Sequence, residues 1–255
     1  MSMGRKGSST TAPAGSPTPR ERLDAAWTGL GRAFGPRTDR ISPLPACADC
    51  FTTEEMDVLG GPVDEIPEQL LCYTVMSWST TFEVSIPHWR RYAPRLLRGI
   101  VERTLAIDES WVARNFALSA WKQWPDDERR AVQELCEAWW ADTLTCSCVS
   151  DVTAATVLTF LVPLTGELTP WLEAWSRTEG ENADLHLLDL WETWGYRLLE
   201  GSLDVSYSGE VPDISAELSA WLLAELPRRG LVDGLYEPAA DRFLLLALPP
   251  DQRWR

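Results

Sequence analysis

Tryptophan recurs along this chain at helical spacing: Trp121-x-x-Trp124, Trp171-x-x-x-Trp175 and Trp191-x-x-Trp194, with single rings at 111 and 221. Spacings of three and four place both rings of a pair on one face of an α-helix. An indole buries a large apolar area with few rotatable bonds, so the 14 tryptophans in 255 residues imply a core built from the ring-bearing faces of packed helices. Sustained alternation of period two flanked by hairpin turns is not found. The expectation is an all-α fold, an irregular stack of antiparallel helices in the manner of an α-solenoid but without a fixed repeat length.

Local signals place the helices. "RERLDAAWTGLGRAF" sets Leu23, Ala26, Trp27, Leu30 and Phe34 on one face. Thr52 followed by Glu55 forms a capping box, predicting a short helix that stops at Gly60-Gly61-Pro62. "DEIPEQLLCYTVMSW" reads as a helix, as does "IPHWRRYAPRLLRGIVERTL", with Trp89, Tyr92, Leu96, Ile100 and Leu105 along one face and Pro94 as a kink or boundary. "DESWVARNFALSAWKQW" reads as one helix from an Asp108 N-cap through Trp124, and "PDDERRAVQELCEAWWADTL" opens with the proline and acids suited to a helix start. In the second half, "SDVTAATVLTFLV" is apolar on nearly all sides and is expected to be central. "LTPWLEAWSR", "ENADLHLLDLWETWGYRLLE", "ISAELSAWLLAELPRRG" and "PAADRFLLLAL" complete the helices. Residues 1–19 have the Gly, Ser, Thr and Pro composition of a disordered basic arm; residues 20–255 read as a single helical domain with a sub-boundary near 145–150.

Charge is unevenly spread. Residues 1–45 hold seven basic and three acidic side chains, while the remainder holds sixteen basic against thirty-five acidic, a net charge of −19. A body of that sign repels phosphate backbones, so nucleic acid is not an expected partner, and a basic protein surface is. No stretch reaches the roughly 18 to 20 uninterrupted apolar residues of a membrane span. The N-terminus lacks the apolar segment of a secretory signal, which predicts a cytoplasmic protein with no membrane association and six reduced cysteines.

Two of those cysteines, Cys47 and Cys50 in "ACADCFTTEEMDVL", fit a metal half-site, a redox couple or the edge of a core. With Cys146 and Cys148 of "TLTCSCVSD" they would supply four thiolates to a structural zinc ion. Cys50 precedes a helix, whose dipole lowers a thiol pKa, but no strand precedes it as in thioredoxin-type pairs. Cys72 and Cys136 fall on apolar helix faces and read as core. Of the two histidines, His186 has Asp189 on the same helix face, and His88 lies beside Trp89 among arginines; HExxH and the Glu-x-x-His carboxylate sets are absent from the sequence. The phosphate cradles GxxxxGK[ST] and GxGxxG and the nucleophile elbow GxSxG are absent too.

The densest basic feature is Arg90, Arg91, Arg95, Arg98 and Arg103. It is either a solvated helix face pairing with neighbouring acids or, with His88, Trp89 and Tyr92, a site for an anion or an acidic peptide. The stretches "CADCFTTEEMDVL", "PHWRRYAPRLL", "FALSAWKQWPDDERRAVQELCEAWW" and "WLEAWSRTEGENADLHLLDLW" resemble a group of uncharacterised bacterial proteins that begin with Cys-x-x-Cys and continue into Trp-rich helices similar to HEAT repeats. The resemblance implies a helical fold and no particular activity. The functional expectation is a protein-binding or adaptor module presenting an acidic surface, of which an immunity protein neutralising a basic toxin is one form. The alternative is an enzyme acting on a peptide or small molecule through Cys47 and Cys50 or through His88, Arg90 and Arg91.

Overall fold

A computed structural model of the chain describes residues 16–42, 49–81, 86–147, 152–205 and 214–253. Among the described residues there are eleven α-helices and no strand: α1 Pro19–Phe34, α2 Thr53–Leu59, α3 Glu68–Thr81, α4 Ile86–Val101, α5 Glu109–Leu118, α6 Asp126–Thr145, α7 Ala154–Thr165, α8 Thr169–Arg177, α9 Glu181–Glu200, α10 Ser215–Arg228 and α11 Glu237–Leu246. The all-α expectation holds. Of the basic arm, residues 1–15 lie outside the described residues.

Helix ends follow their side chains. Thr18 and Thr52 each accept the backbone N–H three residues on while Glu21 and Glu55 reach back, so α1 and α2 both start with a capping box. Gly60 ends α2, and Gly166 and Gly201, with φ of +74° and +64°, end α7 and α9 in the left-handed conformation that glycine adopts without strain. Pro94 interrupts nothing; it sits inside α4.

One apolar core runs from Leu23 to Leu246, across the break between α6 and α7 that falls at the expected sub-boundary. α1 packs along α6, α5 along α7, α7 against α9 and α9 against α11. The crossing of α1 back onto α6 is a long-range pairing, unlike the neighbour-to-neighbour stacking that defines a solenoid. α7 is buried along almost its whole length, as its uniformly apolar sequence implies.

The rings fill this core. Trp89, Trp121, Trp124, Trp139, Trp140, Trp171, Trp175, Trp191 and Trp194 are buried. Trp140 meets Trp175 edge-on at 5.3 Å, and Trp191 meets Phe243 the same way at 5.8 Å. Their indole N–H groups donate to backbone carbonyls of other elements: Trp121 to Leu164 at 2.8 Å, Trp140 to Trp171 at 3.0 Å, Trp175 to Ala183 at 3.2 Å and Trp191 to Ala239 at 3.2 Å. Trp121 and Lys122, whose ammonium donates to Thr165 at 2.6 Å, together satisfy carbonyls in the last turn of α7, which has no intrahelical donors for them.

One expected helix is broken. α5 ends at Leu118, Ala120 turns into the left-handed region at φ +49° and ψ +44°, and Trp121–Gln123 form a single 3-10 turn. The break aims Trp121 and Trp124 inward, with the Trp124 indole donating to Ser119 at 3.1 Å. A residue with a Cβ is disfavoured there by about 1 kcal/mol. Ala120→Gly is therefore expected to raise the unfolding free energy by about 0.5–1 kcal/mol in urea denaturation; a loss of stability would show that Ala120 is not strained.

Candidate functional site

The arginines of α4 face inward as much as outward. Arg91, only 6% exposed, donates through one terminal nitrogen to the carbonyls of Arg37 at 3.1 Å, Gly61 at 2.8 Å and Asp39. Arg95 donates to the carbonyls of Val63 and Ile66, and the Tyr92 hydroxyl to that of Leu59 at 2.8 Å. These acceptors belong to the end of α2, the turn after it and the strap following α1. The same strap is laced to residues 60–63 by Ile41 N–H on Gly60 at 2.9 Å and Val63 N–H on Arg37 at 3.1 Å. Arg90 instead forms a two-pronged pair with Glu128 of α6, at 2.7 and 2.8 Å, and Arg37 reaches the same buried carboxylate at 3.1 Å. Arg103, beyond the end of α4, pairs with Glu109.

Of the residues expected to bind together, Trp89 is in the core and His88 is buried, its Nε2–H donating to the Ser42 carbonyl at 3.1 Å. Burial, with Arg91 nearby, holds the His88 imidazole below its ordinary pKa despite that carbonyl. Arg91 and Arg95 do share a cleft of about 210 Å³, but with Arg98 and with Trp27, Phe34 and Arg37, which the sequence reading left out. Arg98 lies over the Trp27 ring at 5.4 Å and Arg37 over Phe34 at 5.4 Å. Those partners come from α1 and its strap, far from α4 in sequence, and no local spacing announces them.

On the segment those arginines hold, Asp49, Glu54, Asp57, Asp64, Glu65 and Glu68 are exposed, and none makes an ion pair among the described residues. Residues 49–81 contain no Lys or Arg. Val58, Tyr73 and Met76 are exposed in the same segment. It is an acidic segment with exposed apolar side chains in it.

The cysteines separate. Cys50 is half-buried against the core; Cys72 and Cys136 are free and buried, and burial pushes both of those thiols up from their ordinary pKa. Cys146 is disulfide-bonded, so the expectation of six reduced cysteines fails there. Cys47 and Cys148 lie outside the described residues, and among those described no three potential ligands gather.

His186 is wholly buried on α9, where burial holds its imidazole below the ordinary value against the pull of the Thr143 and Cys146 carbonyls and Asp189. A second charged cluster joins α8, α9 and α10. Arg229, 5% exposed, donates to Glu225 and Asp184 at 2.7 Å each and to the carbonyls of Trp175 at 2.8 Å and Thr178 at 3.0 Å; Arg228 also pairs with Glu225. Every one of these contacts closes within the protein, which makes the cluster a structural tie.

No family model, curated protein or solved structure matches the chain. None of the described helices is long and apolar enough to cross a membrane.

Two outcomes follow from the charges. Arg91→Met removes the donor from the Asp39 and Gly61 carbonyls and leaves that of Arg37 only the Val63 N–H, so a loss of about 3 kcal/mol is expected in denaturant unfolding, with faster hydrogen exchange at Ile41 and Val63. An unchanged exchange rate there would mean that the strap is held by something else. For Glu225, burial alone would raise the pKa, but the hydrogen bonds from Arg228 and Arg229 outweigh it and hold the carboxyl below its ordinary 4.5. A depressed carboxyl stabilises the fold above its unfolded pKa and stops doing so as pH falls through the folded value. Stability of the native chain is thus expected to fall more steeply below pH 4.5 than that of Glu225→Gln, measured by thermal melts across pH 3–6.

Proposed function

We propose that this chain is a cytoplasmic binding module whose acidic face, carried on residues 49–68 with Tyr73 and Met76 beside them, docks on a basic surface of a protein partner. The observation that carries this reading is the sorting of charge around α4. Its arginines hold the segment through backbone carbonyls, which leaves six exposed carboxylates of that segment without cations of their own.

Unscreened like charges on one face repel each other, and a cationic partner relieves that repulsion while steering encounter. Val58, Tyr73 and Met76 add apolar anchors of the kind found at the centre of interfaces. A toxin with a basic active surface is one such partner. The enzymatic reading through His88, Arg90 and Arg91 draws less support, because their polar atoms already engage Ser42, Glu128 and the strap carbonyls.

The test is cross-linking in native extract with the wild-type chain and with Glu54→Lys/Asp57→Lys/Glu68→Lys, all exposed positions, after circular dichroism has shown both to be folded. A species captured by the wild type, released by raising salt and lost with the triple variant is the expected result. Equal capture by both chains overturns the acidic face as the docking surface.

A further inference from the structure

The cleft between α1, its strap and α4 has a chemistry opposite to the rest of the surface. Arg37, Arg91, Arg95 and Arg98 line it, with Asp64 as the one carboxylate among its lining residues. Arg91 and Arg95 donate to carbonyls only, and neither has a carboxylate within ion-pair distance among the described residues. Carbonyl dipoles solvate a guanidinium but do not neutralise it. The Nε–H groups of Arg91 and Arg37 are moreover buried without an acceptor, and a buried donor left this way calls for a partner. Arg98 is 61% exposed, lies over the Trp27 ring and has one carboxylate, that of Glu102, at a long 3.8 Å.

We propose that this cleft binds the phosphoryl group of a small phosphate monoester, with Arg98 and Arg95 gripping its oxygens and Arg91 supplying buried positive charge behind them. Guanidinium forks match tetrahedral oxyanions, and a dianion supplies the charge that these side chains lack. The cleft's 210 Å³ equals the liquid volume of about seven waters, more than a bare phosphate needs. Leu30, Phe34 and Pro94 offer the apolar wall against which a carrier would rest. The faces of Trp27 and Phe34 are already covered by guanidinium groups, so the carrier lies along that wall and is not stacked between rings. The burial that pushes the Arg91 pKa down is relieved by a bound anion. This site shares no side chain with the acidic docking face except Asp64 at its rim, so the two readings stand or fall separately.

The experiment is a titration of the folded full chain with inorganic phosphate, glycerol phosphate and glycerol, read by calorimetry and by the arginine Nε–Hε resonances in NMR. Saturable binding of glycerol phosphate at about 1 mM or tighter is expected, with shifts at Arg91 and Arg98 and no response to glycerol. Arg98→Gln, an exposed change that leaves the fold intact, is expected to weaken binding about tenfold, and Arg98→Lys to recover only part of it because the fork is lost. Absence of saturation in the millimolar range, or equal affinity of the wild type and Arg98→Gln, overturns the site. Binding of inorganic phosphate without any binding of the ester overturns the class of ligand.

Discussion

A core made of indoles carries a constraint that a core of leucines does not: every buried ring brings one N–H that must find an acceptor. For Trp121, Trp140, Trp175 and Trp191 the acceptors are backbone carbonyls of other helices, so these rings are oriented about their own axes as well as buried. Trp121 reads the end of α7, Trp140 the start of α8, Trp175 the start of α9 and Trp191 the first turn of α11. Hydrophobic burial is indifferent to direction, whereas these bonds fix which helix end lies beside which. The irregular path of the chain follows from the places where such carbonyls are free.

The same logic, with guanidinium in place of indole, organises the N-terminal third. α2 and the turns around it are too short to form a core of their own, and α4 holds them by their carbonyls. Holding a segment by its backbone leaves its side chains uncommitted. Two buried carboxylates each gather two arginines, Glu128 beneath Arg90 and Arg37, and Glu225 beneath Arg228 and Arg229. Around α4 the guanidinium groups of Arg91 and Arg95 are thus turned to backbone carbonyls while the carboxylates of the segment they hold stay exposed.

Much of this was legible in the sequence. Thr52 and Glu55 declared the start of α2 and Gly60 its end, and ring spacing declared the buried faces, because capping and amphipathicity act within one or two turns. The Ala120 break was not legible, since its left-handed backbone is imposed by the distant α7 carbonyls that Trp121 and Lys122 cap. Glu128 gave no sign of its role either; in sequence it is one of several acids at a helix start, and its partners lie on α4 and the strap. The arginine cluster was visible as a cluster, but Arg90 and Arg91 are divided between unrelated tasks by neighbours that no spacing in α4 reveals. The zinc reading rested on cysteine spacing, and two of its four cysteines, Cys47 and Cys148, lie outside the described residues.

The packing of α1 on α6 sets a schedule for the nascent chain. Leu23, Ala26, Leu30 and Phe34 have no complete partner until α6 has been made, five helices later. At about 5–20 residues per second the first helix waits several seconds in the cell with its apolar stripe uncovered. During translation α1 is thus a client for whatever binds exposed amphipathic helices, and the strap after it stays slack until α4 emerges to take hold of its carbonyls.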